Sequence, residues 1–132
     1  MIRKRYNINV KGENWQISIF FPLTCYHVKE IMQELSLIDC NKTDMRKAWK
    51  NLTSGKMNNG LTFSNYELRK SVIVFAMSES KEEYFNLVLH ELHHLAVQIG
   101  VANNMNLEGE GVCYINGDVG MMMFPLVRYL FC

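Results

Sequence analysis

The sequence predicts an α+β domain: a small, mostly antiparallel sheet packed on one long helix, with a further helix at the C-terminal end. Three observations carry this. Short strand-like segments come in two pairs, Tyr6 to Val10 with Trp15 to Phe21, and Leu61 to Phe63 with Ser71 to Met77. Two helix-like segments separate the pairs. A long periodic apolar segment then ends at Gly100, and a Gly-rich element follows it.

Each element has a local reason. The first two strands alternate and are joined by Lys11-Gly12-Glu13-Asn14, a hairpin signal. Val28 to Leu37 has helical spacing at Val28, Ile31, Met32 and Leu35. Asn41 to Leu52 predicts a second helix, with Asn41 or Thr43 as cap and Met45, Ala48, Trp49 and Leu52 on one face. Gly55 to Gly60 is the clearest loop. Ser71 to Met77 is nearly continuous in apolar residues, which suits either an interior strand or an edge strand above a site. Ser78, Ser80 and the pair Glu82/Glu83 mark the start of the long helix, a hydroxyl cap followed by negative charge. Gly100 is its expected stop.

That helix carries His90-Glu91-Leu92-His93-His94, an H-E-x-x-H pattern. At about 100° per residue the two outer histidines project about 40° apart, so both can reach one metal ion, and Glu91 lies about 60° beyond His94. With His90 at zero, Phe85, Val88, Leu89, Leu92, Leu95, Ala96 and Ile99 fall between about 140° and 260°, a core stripe facing away from the histidines. Leu87 and Val97 lie off the stripe and are candidates to line the site. His93 reads as a flanking residue, and His27, outside the motif, as a surface or helix-start residue. A catalytic zinc usually takes three protein ligands. No histidine follows His94, so the candidates for the third are Glu108, Glu110, Cys113, Asp118 and Cys132. If the stretch 107–118 is helical, Glu110, Tyr114 and Asp118 share one face. Glu110 would then be the ligand, Tyr114 a donor to the substrate or to the metal shell, and Asp118 a partner that orients an imidazole.

Together, His90-Glu91-x-x-His94 and Gly109-Glu110-x-x-x-Tyr114-x-x-Gly117-Asp118 resemble small gluzincin-type metallopeptidase domains, in particular a compact family of gut Bacteroidetes and their phages. The similarity spans about Ser71 to Gly120. It implies a zincin-like fold in which the sheet packs on the H-E-x-x-H helix and the C-terminal helix supplies the third ligand. It also implies Zn2+ held by His90, His94 and Glu110, with Glu91 as general base. In such folds an edge strand binds an extended peptide above the metal, and Ser71 to Met77 is the candidate for that strand. Gly111 and Cys113 depart from the family pattern, which keeps Glu108 beside Glu110 as a candidate ligand.

Composition narrows the alternatives. The 132 residues make one domain, residues 1–132, with room for one core. A net charge of +1 gives no electrostatic footprint for nucleic acid. No segment reaches the roughly 18 apolar residues of a membrane span. Met121 to Phe131 comes nearest, interrupted by Pro125 and Arg128. It reads as a helix end on the core, with a docking patch for another subunit as the minority reading. No export signal is apparent, and Cys25, Cys40, Cys113 and Cys132 form no C-x-x-C pair, so a cytoplasmic protein with reduced thiols is expected. The expected partner is a peptide or protein substrate. Two other classes stay open: a non-catalytic zinc-binding structural or docking domain, and a protease dedicated to one partner protein.

Overall fold

The structure is a computed structural model that describes residues 2–23, 27–54, 60–76 and 78–127. Cys25, Cys132, most of the 55–60 loop and the last residues of the apolar C-terminal stretch lie outside the described residues. The order of elements is β1 (Ile2–Val10), β2 (Glu13–Leu23), α1 (Val28–Leu37), α2 (Lys42–Thr53), β3 (Leu61–Asn65), β4 (Lys70–Ala76), α3 (Lys81–Ala102) and α4 (Glu110–Val127). This is the succession expected from the sequence.

The sheet is mixed, with spatial order β1-β2-β4-β3. β1 pairs antiparallel with β2, β2 parallel with β4, and β3 antiparallel with β4. The first hairpin closes through Lys11 (φ 52°) and Gly12 (φ 83°). Two consecutive left-handed residues make the tight turn whose twist matches the strands, and glycine removes the Cβ cost at one of them. Val72, Ile73, Val74, Phe75 and Ala76 are all fully buried. A strand apolar on both faces must lie inside, and β4 does, between β2 and β3. The expectation that Ser71 to Met77 could serve as a substrate-binding edge is therefore corrected: the edge beside the motif helix is β3.

Helices cover both faces of the sheet. On one face Ser18 of β2 and Arg5 of β1 reach Glu34 of α1. On the other, Ser64 of β3 reaches Gln98 of α3, while Trp15 of β2 reaches Ser71 of β4. The core between these layers includes Trp15, Phe20, Phe21, Ile31, Leu35, Ile73, Phe75, Leu95 and Ile99, each essentially inaccessible. In α2, Ala48 and Leu52 are buried as expected, whereas Trp49 is half exposed.

The caps follow the expected chemistry. Ser80 accepts a hydrogen bond from the Glu83 amide (3.1 Å) at the start of α3, and Asn41 accepts from Asp44 (2.8 Å) at the start of α2. Gly100 does not stop α3, which runs on to Ala102 with Asn103 as cap. Its absent side chain has another use: a Cβ there would stand 2.9 Å from Leu107 and 3.0 Å from Val112. The glycine lets α4 and the turn before it close onto α3.

Candidate metal centre

His90 and His94 both lie on the solvent side of α3, and their Nε2 atoms converge to 3.1 Å with the rings nearly perpendicular. Two nitrogens held about 2.0–2.1 Å from one tetrahedral zinc stand about 3.3–3.4 Å apart. The pair is thus near the spacing of two ligands on a single ion. One helical turn with no bulky residue between the rings is enough to produce it. His93 is exposed on the far flank, and His27 sits at the N-terminus of α1.

Glu91 is only 5 % exposed and belongs to the buried face of α3, with Tyr84, Leu87, Val88 and Leu95. The expected core stripe was set too far round the helix. Phe85 and Leu89 are about half exposed, and the buried face turns instead toward Leu87 and Glu91. The Glu91 carboxylate is covered by β3 and the residue before it. Thr62 Oγ1 donates to Oε2 at 2.5 Å. Gly60 lies so close that a Cβ on it would stand 2.7–2.8 Å from the Glu91 side chain, including Oε1 at 2.8 Å. Among the described residues Glu91 has no ion-pair partner. A buried carboxylate with one hydroxyl donor is costly for folding alone.

The cost is easier to understand from the cleft above it. His90, Glu91 and Leu87 line an open cleft of about 500 Å³ together with Gly60, Asn51 and Asn86. Two further clefts, of about 380 and 430 Å³, adjoin it along the outer edge of β3. The first shares Asn51 with it, and the two share Phe63 and Gln98 with each other. The result is a groove between α2 and α3 with β3 as its floor.

The third expected ligand is not gathered with the pair. Among the described residues no three His, Cys, Asp or Glu side chains form a group that could hold a metal ion. The packing of α4 explains this. Gly100 meets Val112, and Leu92 meets Gly120, so the two helices run antiparallel. By interpolation at equal rise, Asp118 is level with His94, while Glu110, the first residue of α4, stands about 12 Å further along the axis. The contacts also put α4 on a flank of α3 roughly 100° to 180° round from the two histidines. Tyr114 is 66 % exposed and does not line the cleft. Glu108, Glu110, Cys113 and Asp118 are likewise exposed. Sequence reasoning missed Gly60, Thr62 and Asn51, which come to the Glu91 cleft through the placement of β3 and α2, and Gln98 on α3 itself, which holds the Thr62 carbonyl. A short strand with hydroxyls at alternate positions, Thr62 and Ser64, was the one available signal.

Fold and site together define an α+β protein with a mixed four-stranded sheet and an H-E-x-x-H helix beside its β3 edge. No family model, no curated protein and no solved structure matches the chain.

Proposed function

We propose that the protein is a zinc-dependent metallopeptidase, with His90 and His94 as ligands and Glu91 as general base. The observation that carries this reading is the convergence of the two Nε2 atoms at 3.1 Å beside a buried carboxylate that opens onto a cleft. Zinc, when bound, supplies a Lewis acid and favours ionisation of water near neutral pH. Glu91 takes the proton from the attacking water and delivers it to the leaving amine. The substrate would be an extended peptide lying along the outer edge of β3, which pairs with β4 on its other side. The Gly60 carbonyl, just before β3, and the Thr62 carbonyl on it accept from the side-chain amides of Asn51 and Gln98, so this edge already meets amide donors.

The resemblance assigns Glu110 as third ligand, and helical spacing makes Tyr114 a substrate donor; Glu110 stands along the axis from the histidines and Tyr114 does not line the cleft. Elemental analysis of untagged protein addresses this directly, with His94→Ala, Glu110→Ala, Glu108→Ala and Asp118→Ala beside the wild type. About one zinc per chain, lost in His94→Ala and Glu110→Ala and kept in the other two, supports the three-ligand set. Zinc kept in Glu110→Ala, with no cleavage of a peptide library beyond a chelator control, favours the second reading. That reading is a non-catalytic zinc-binding or docking domain, and the ungathered third ligand is the observation in its favour. In the peptidase, Glu91→Gln retains the metal and loses turnover. Equal loss of zinc in that variant would make Glu91 structural or a ligand.

A further inference from the structure

Hydrogen bonds run from Trp15 through Ser71, Ser64 and Gln98 to the Thr62 backbone carbonyl, and the hydroxyl of the same Thr62 reaches Glu91. Trp15 Nε1 donates to Ser71 Oγ at 2.8 Å, inside the core. Ser71 and Ser64, cross-strand partners on β4 and β3, stand 2.6 Å apart through their hydroxyls. Ser64 Oγ donates to Gln98 Oε1 at 2.6 Å, so its proton is committed and Ser71 must be the donor to it. The orientation of the Gln98 amide is then fixed, and its Nε2 donates to the Thr62 carbonyl at 3.3 Å. Thr62 Oγ1 donates to Glu91 Oε2 at 2.5 Å. Every donor in the chain points toward the carboxylate.

We infer that Thr62 is a positioning residue for Glu91. Its hydroxyl occupies Oε2, while Gly60, through the missing Cβ, leaves Oε1 a place beside the cleft. The inference rests on the reading of Glu91 as the base. The chemistry explains why Thr62 has to be anchored in turn. A hydroxyl on an edge strand is free to rotate, and a backbone at an edge is free to shift. The Gln98 amide ties the Thr62 carbonyl to α3, the helix that carries Glu91, so donor and acceptor move together. Ser64 and Ser71 hold that amide from the buried side, and Trp15 sets the sense of the chain from the core. A group placed in this way acts through Glu91 and need not touch the substrate. Misplacing a reacting group by about 1 Å can cost about 100-fold in rate.

The test compares Thr62→Val, which keeps the shape and removes the donor, with Thr62→Ser, which keeps the donor. Glutamate labelled with 13C at the side-chain carboxyl carbon (Cδ) reads the Glu91 carboxyl by NMR, and Glu91→Gln assigns its resonance. With zinc loaded, turnover of a peptide selected from a library digest is followed beside it. In Thr62→Val the Glu91 resonance moves and kcat falls about 10- to 100-fold, while KM and zinc content stay at wild-type values. Thr62→Ser restores both the resonance and kcat. A resonance that stays in place in Thr62→Val overturns the inference, as does a loss of kcat that Thr62→Ser fails to restore. Full turnover in Glu91→Gln would instead remove the reading of Glu91 as base, and the positioning role with it, while the resonance would still report whether the hydrogen bond forms.

Discussion

Gly60 is where the candidate site constrains the sequence most tightly at the scale of a single residue. A methyl group there would overlap the Glu91 side chain at 2.7–2.8 Å, closer than any real Cβ contact. Gly60→Ala should therefore destabilise the protein by about 1–3 kcal/mol, the usual cost of overpacking. The same change in a Glu91→Ala background should cost little, because the obstructing atoms are gone. Urea unfolding of the four proteins gives the coupling energy, and additivity would mean that the overlap is relieved by movement of the chain around Gly60. Cysteine reactivity supplies a second prediction. Burial, aided by the negative charge of Asp44, pushes the Cys40 thiol up to about 11. At pH 8 only about one part in a thousand is then thiolate, against roughly a quarter for an ordinary thiol. Peptide mapping after brief iodoacetamide treatment should find exposed Cys113 modified well before Cys40. Labelling of Cys40 should accelerate as pH rises toward 11. Equal rates at pH 8 would show that the segment around Cys40 opens readily.

At the scale of elements, α3 shows both how far the sequence could be followed and where it stopped. Its start was legible because capping is local: Ser80 and Glu83 are three residues apart and bond directly. Its two histidines were legible because one turn of helix fixes their separation. The buried face was misjudged by a few tens of degrees, since periodicity cannot tell a core leucine such as Leu92 from an exposed one such as Leu89. What decides between them is the docking of β3 on the Leu87/Glu91 side, a contact made by residues about thirty positions away. For the same reason Gly100 looked like a terminator when it is a point of close approach. Gly100→Ala would raise helix propensity by about 1 kcal/mol, but its Cβ would press on Leu107 and Val112. The net effect should be a loss of about 1–2 kcal/mol in urea unfolding, as overpacking outweighs propensity. Val112→Ala should recover part of it. A more stable Gly100→Ala would mean that α4 moves away from α3 without cost, and would weaken the case that its position is fixed.

Across the whole molecule, the two faces of the sheet do different work. The α3 face carries the histidines and the chain of hydroxyls and amides ending at Glu91, while the opposite face carries a second buried carboxylate, Glu34. It is 4 % exposed, accepts from Arg5 at 2.8 Å and from Ser18 at 3.2 Å, and so ties α1 to both β1 and β2. Here the carboxylate has a cation, so the arrangement suits stability where Glu91 does not. Removing one partner of a buried ion pair costs about 3–5 kcal/mol, but the Arg5 side chain is 45 % exposed and solvent screens part of the interaction. Arg5→Ala should cost about 1–2 kcal/mol on that basis. In a Glu34→Gln background the same substitution should cost much less, since no buried charge is left uncompensated. Because β2 and β4 separate this ion pair from α3, zinc content should be the same in Arg5→Ala as in wild type at temperatures where both are folded. A drop in zinc alongside the drop in stability would show that the two faces are coupled through the sheet, and that the geometry of the histidine pair depends on how α1 is held. Unchanged zinc with reduced stability would confine the candidate site to α3, β3 and the end of α2, the elements that a redesign of specificity would then have to preserve.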